Sequence, residues 1–294
     1  MSIEHNASSA EILPEENSAT GVAMPTKARN YRGLLSFGTL VALLAIVEAC
    51  VRGFDIPAYI FPAPSDIFRS LYAGFAAPLA SRSAFYTHIL TTVSEALGSF
   101  VCGSVLGIVL GGLIAEFPLL RRLALPYVIG LQSVPKVALA PLFVVWFGLG
   151  ISSKIVLGIL LTFFPLMVNT VAGFAGVEKD RLELMRSLKA GSWKTFRYVK
   201  LPSALPFIFA GLEMAAAYSV LGAVVGEFVG GTSGLGVLML NRNAALDIAG
   251  SMAALVLLAL LGIALQKLVT MARNRLLFWA PSKDVLRNAE PEPD

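Results

Sequence analysis

The chain has 294 residues, of which 56% are hydrophobic and only 14% charged, with a formal net charge of +4. A soluble globular domain carries about 25% charged residues, so this composition excludes an ordinary soluble enzyme. The positive balance does not signal nucleic acid either, because the basic residues fall between apolar runs and form no patch with stacking aromatics.

Residues 1–30 are polar and carry Glu4, Glu11, Glu15 and Glu16. A cleavable signal peptide would place its apolar core much earlier, so the first apolar run reads as an uncleaved span. Six such runs follow in chain order, at 34–51, 94–115 (extended upstream from about 84), 123–147, 154–175, 204–229 and 248–271. Each is about 18 residues or longer and able to cross the hydrocarbon core of a bilayer. The expected fold is all-α, a polytopic transmembrane helical bundle of about six spans over 31–280. Residues 1–30 and the Pro- and Glu-rich 281–294 read as disordered tails. Cys50 and Cys102 fall inside apolar runs and read as small packing residues, with no disulfide or metal site.

The basic residues orient the bundle. With the N-terminus in the cytoplasm, the inner segments hold Arg121, Arg122, Lys179, Arg181, Arg186, Lys189, Lys194, Arg197, Lys200, Arg273, Arg275 and others. The outer segments then hold only Arg52, Arg69, Arg82, Lys154 and Arg242. This bias of about three to one is the positive-inside pattern, and it puts both termini in the cytoplasm.

Within the spans, Gly103, Gly107 and Gly111 share one helix face, as do Gly222, Gly226 and Gly230. Such faces let helix backbones approach closely in lipid, either inside the bundle or between two copies of the chain. The third run contains Pro126, Pro135 and Pro141, each of which removes a backbone donor. Irregular backbone at membrane depth must be buried in protein or line a cavity. This run is therefore a candidate wall of a translocation path, a kinked packing helix being the other reading. Glu48, Lys136, Glu213 and Glu227 fall in or near spans, where a charge costs about 2.5–3.5 kcal/mol on insertion scales. Lys136, between Pro135 and Pro141, and Glu227 are taken with those two prolines as candidate path residues. Glu213 receives no assignment.

The longest inner loop, 177–202, is patterned. Leu182, Met185 and Leu188 follow helical spacing, with Glu178 and Asp180 near the start, where the helix dipole favours acids. Ala190-Gly191-Ser192 interrupts the pattern. Ser192 is placed to cap a second short helix on which Trp193 and Phe196 share a face, and Leu201-Pro202 is expected to stop it. Two short amphipathic helices with a sharp bend would form an apolar knob rimmed with charge, suited to a groove on a partner. A loop folded back on its own spans is the competing reading.

This loop resembles the signature loop of binding-protein-dependent ABC importer permeases: Glu-Ala-Ala, three residues, Gly, nine residues, Ile, one residue, Leu-Pro. Glu183 falls on the Glu, Val199 on the Ile and Leu201-Pro202 on the Leu-Pro, while Leu184 and Met185 replace the alanines and Lys189 the Gly. The runs SVPKVALAPLFVVWFGLG (133–150), FPLMVNT (164–170) and GEFVGG (226–231), with Gly234-Leu-Gly236, resemble the nitrate/sulfonate/taurine subfamily. The resemblance covers about 34–280 and implies a type I importer permease fold in a bacterial inner membrane. It also implies a permease homodimer, two cytoplasmic ABC ATPases on the loop, an outer solute-binding protein, and a small anion such as sulfonate, taurine or nitrate as solute. Because Lys adopts positive φ at a cost, the bend is expected to have moved from Lys189 to Ala190-Gly191.

No Gly-x-x-x-x-Gly-Lys-Ser/Thr phosphate loop occurs, so no cofactor is expected on this chain, and ATP with Mg is expected on the partner ATPase. The buried acids also admit an ion-coupled secondary transporter, but that model gives the signature-like loop no role and would favour an internal repeat.

Overall fold

Hydrocarbon leaves each spanning segment to satisfy its own backbone polar groups, which demands helices. The computed structural model describes residues 27–78 and 85–279, without the side chains of 27–34 and 36, and contains no strand among the described residues. The tails expected at 1–30 and 281–294 lie outside the described residues, except that 27–30 already belong to the first helix. The chain forms two compact units, residues 1–49 and 50–294. In the first, 27–49 make up most of helix α1 (Lys27–Gly53), which meets the first expected span.

The second unit contains α2 (Pro64–Ala76), α3 (Phe85–Glu116), α4 (Pro118–Gln132), α5 (Ala140–Phe147), α6 (Ile151–Ala175), α7 (Lys179–Ser187), α8 (Ser192–Thr195), α9 (Leu201–Gly230), α10 (Leu235–Ala244) and α11 (Ile248–Leu276). Among the described residues, α3, α6, the continuous Ser192–Gly230 and α11 are long and apolar enough to cross a membrane. A fifth span is added when α4 and the bent segment Lys136–Phe147 are taken together.

The glycine faces are consumed inside the chain. A Cβ on Gly111 would stand 2.8 Å from Thr170 Cβ, and one on Gly107 3.1 Å from the Phe163 carbonyl, so α3 lies flush on α6. Where α6 packs against α9, a Cβ on Gly222 would stand 2.5 Å from Gly158 Cα and one on Gly226 2.8 Å from Lys154 Cγ. The three-helix centre α3–α6–α9 thus rests on backbone contact, as expected where no hydrophobic force draws helices together. Along α9 and α11, Phe209, Ala216, Ala223, Leu265 and Val269 form a further buried cluster.

Three details add to or correct the expectations. The third run is interrupted: it forms two helices bent by 83° at the break between Gln132 and Lys136, a broken span or a re-entrant segment. Of its three prolines only Pro135 sits at that break. Pro126 lies within α4, and Pro141 occupies the first turn of α5, where its missing N–H has no intrahelical partner to lose. The segments joining the first expected span to the second and the fifth to the sixth contain the short helices α2 and α10. Finally, Leu201-Pro202 does not stop the second loop helix. Phe196–Lys200 form a π-turn in which the Leu201 N–H donates to the Phe196 carbonyl, and the chain passes helically into α9. The wider turn takes up the ring that Pro202 would otherwise drive into the preceding turn.

Candidate functional site

The loop between α6 and α9 forms the expected pair of short helices. α7 ends in a two-bond cap: the Lys189 N–H donates to the Arg186 carbonyl and the Ala190 N–H to the Met185 carbonyl, both at 2.9 Å. This Schellman arrangement needs a left-handed residue at its pivot, and Lys189 supplies it at φ +50°. The bend therefore stays at the position where the signature has Gly, and the expected shift to Ala190-Gly191 is wrong. Gly191 is the N-cap residue of α8 with φ −67° and ψ 160°, so Ser192 is the first helical residue rather than the cap.

Around this hairpin, Leu182 and Met185 are half-buried and Glu183 is exposed. Leu184, Leu188 and Trp193 are 59%, 66% and 73% exposed. Trp193 stacks on Phe196 at 5.8 Å, and Phe196 on Phe174 of α6 at 5.7 Å. The ring column fixes α8 to the end of α6 yet leaves the Trp193 face open. Lys200 grips both carboxylate oxygens of Glu116 at 2.7–2.8 Å and ties the π-turn to the end of α3. The loop is held on its own spans by one side and presents apolar side chains on the other. Val199, Leu201 and Pro202 are half-buried at the root.

At the α4–α5 elbow, the Lys136 ammonium donates to the Gln132 carbonyl at 2.9 Å and lies 5.1 Å from the Phe164 ring centre. It thus supplies a cation to the last turn of α4, where the helix dipole is negative. Residues 131–135 and 137–138 are exposed.

A third constellation lies at the end opposite the hairpin. Lys154 (α6) and Glu95 (α3) form an ion pair at 2.7 Å with side chains 3% and 0% exposed. Glu227 (α9) is 1% exposed. Its carboxylate accepts from the Thr92 hydroxyl at 2.6 Å and from the Gly236 N–H, while the Leu235 N–H donates to Thr92 at 2.8 Å. Gly234 has φ +125°, and the Glu227 carboxylate occupies the space a Cβ would need there. The turn 231–236 is built around this acid. Among the described residues no cluster of His, Cys, Asp or Glu could hold a metal ion.

Residues 103–277 match the family described as binding-protein-dependent transport system inner membrane component. The chain belongs to this family. The permease is 35% identical to the riboflavin transport system permease protein RibX of Chloroflexus aurantiacus, over 83% of this chain and 89% of that protein. It is 33% identical to the formylaminopyrimidine transport permease protein ThiX of Halalkalibacterium halodurans, over 85% and 98%. It is 29% identical to the putative aliphatic sulfonates transport permease protein SsuC of Bacillus subtilis, over 94% and 98%. The chain is the transmembrane permease component of an importer, and the carrier alternative is not favoured.

The expected sites therefore divide. Glu183, Met185, Leu188, Lys189, Gly191, Trp193, Leu201 and Pro202 do gather in one hairpin and its root. Lys136 and Pro135 meet at an open elbow, with Pro141 on the far side of the break in α5. Glu227 does not face a path within the chain, because the bundle encloses it and its acceptors hold the α9–α10 turn. Glu95, Lys154 and Thr92 escaped the sequence reading. Lys154 sits at the start of an apolar run, where it reads as a loop residue, and Glu95 lies 59 positions before it. Glu213, left unassigned, pairs with Arg273 and Thr270 of α11, each at 3.3 Å.

Proposed function

We propose that the permease works as one half of an ATP-driven importer, with two copies enclosing the path and two separate cytoplasmic ABC ATPases docking on the α7–α8 hairpins. The observation that carries this reading is the exposed apolar face Leu184, Leu188 and Trp193, on a hairpin whose Glu183, Val199, Leu201 and Pro202 align with the signature. Such a face suits a groove on a partner. An outer solute-binding protein would deliver the solute, and both termini would be cytoplasmic. ATP and Mg would be held by the ATPase.

The elbow supports a path role for Pro135 and Lys136, with Pro141 shaping its far arm. Broken backbone at membrane depth cannot face lipid, and in the single chain this segment is uncovered, so it would face the second copy or the solute. For the solute, the sulfonate relative favours a small anion. The relatives named for riboflavin and formylaminopyrimidine, at 35% and 33% identity, favour a second reading, a heterocyclic vitamin or its precursor.

Purification of the complex from native membranes tests the assembly: an ATPase should co-purify, and Trp193→Ala with Leu188→Ala should release it while the permease remains folded. Undiminished co-purification would overturn the docking assignment. Growth of a deletion strain on single sulfonate, taurine or nitrate sources, and without supplied vitamins, separates the solute classes.

A further inference from the structure

The stretch between the first and second spans contains α2, whose two faces differ. Ile67 and Leu71 pack into the buried cluster that contains Phe85 and, from α11, Ala253, Ala254, Leu257 and Leu258. Gly74 is buried against Phe85, leaving no room for a side chain. The C-terminal end of α2 is pinned, because the Tyr86 hydroxyl donates to the Phe75 carbonyl at 3.1 Å and Phe75 meets Phe85 and Tyr86 edge-on at 5.5 and 5.7 Å. The opposite face carries Phe68 at 64% and Tyr72 at 78% exposure, preceded by exposed Tyr59, Ile60 and Phe61. Arg69, beside Asp66 at 3.6 Å, is the charged residue of that face.

Depth decides what covers it. The α11 residues that receive α2 lie five to ten positions inside the start of a membrane-spanning helix, about 8–15 Å along its axis at 1.5 Å per residue. The headgroup zone on one side of a bilayer is about 5–8 Å thick. At 13 residues α2 is too short to span. An amphipathic helix at that depth, with Phe and Tyr outward and an arginine able to reach upward, has the chemistry of a helix lying in the interface plane.

We propose that α2 is a monotopic interfacial helix, and that Phe68 and Tyr72 are seated among the acyl chains and glycerol backbone of the leaflet on the side opposite the α7–α8 hairpin. It adds a lipid-bound element to the permease, separate from the path and the coupling hairpin.

The test uses the full chain in proteoliposomes, with Cys50 and Cys102 replaced by Ala and single cysteines introduced as Phe68→Cys or Tyr72→Cys, each carrying a nitroxide. Both positions are exposed, so the packed Ile67–Leu71 face is left intact. Molecular oxygen should reach both labels several-fold better than a water-soluble nickel chelate. Greater access for the chelate would place α2 in water and overturn the proposal. Low access for both reagents with dipolar broadening between labels would show a second copy covering the face, which also overturns it. A second measurement needs no substitution: a phospholipid with a diazirine in its acyl chain should label residues 59–76 of the native chain on irradiation, and absence of label there would refute the assignment.

Discussion

Replacing Lys154 by Met removes a charge while keeping most of an apolar stem. In the structure its ammonium lies 2.7 Å from Glu95, both side chains are at most 3% exposed, and the equally enclosed Glu227 stands on the neighbouring helix. Losing one partner of a buried pair costs about 3–5 kcal/mol, because the other charge stays desolvated and uncompensated. Lys154→Met should therefore destabilise the bundle by about that amount. The double variant Lys154→Met with Glu95→Leu fills the same space with apolar groups and should recover most of the loss, since such replacements are often neutral. The coupling between the two sites should reach about 3 kcal/mol. Reversible unfolding in mixed micelles of rising SDS fraction, followed by loss of helical circular dichroism, measures all three variants. A single-variant loss under about 1 kcal/mol, or a double variant as unstable as the sum of its singles, would show that the pair does not hold α3 to α6.

At the hairpin, Lys189→Gly should protect the α7 amides from hydrogen exchange by about 0.5–1 kcal/mol more, because Gly relieves the left-handed strain at φ +50°. Gly191→Ala should change little, since a Cβ there meets nothing within 4 Å and φ is −67°. The reverse ranking would return the bend to Gly191. Gly107→Leu should separate α3 from α6 and cost several kcal/mol through overpacking against the Phe163 carbonyl and Leu166, read as loss of folded protein in detergent. Reporter fusions after Ala77 and after Lys189 should report opposite sides of the membrane, and the same side for both would refute the topology.

The spans were legible because an apolar run of sufficient length leaves hydrocarbon few alternatives, and the boundaries of α3, α6, α9 and α11 fall within a few residues of the expected ones, allowing for the upstream extension of α3. The hairpin was legible from helical spacing followed by a break. Its pivot was not, because the rule that Lys avoids positive φ is a matter of about 1–2 kcal/mol, which two capping hydrogen bonds offset. Pro202 misled for a related reason: a single π-turn relieves the clash that would otherwise end the helix. The Glu95–Lys154 and Glu227–Thr92 contacts join residues 59 and 135 positions apart, and no local pattern announces such partners. A lysine at the edge of an apolar run reads as a boundary until the carboxylate facing it is seen. Helix α2 was not foreseen, because at 13 residues it is too short to register as a span.

The π-turn at 196–200 has a mechanical corollary. Because the chain stays helical from Ser192 to Gly230, 39 residues or nearly 60 Å at about 1.5 Å per residue, the short helix in the hairpin and the long one through the bundle are a single shaft. Torque applied at Trp193 would pass to the far tip along continuous helix, and at that tip the Glu227 carboxylate is fastened to the glycine turn that launches α10. The shaft departs from the regular α-helical ladder at the five-residue π segment and again at Pro206, and Lys200 bolts the π segment to Glu116. Loosening that bolt would blunt transmission along the shaft while leaving both of its ends intact.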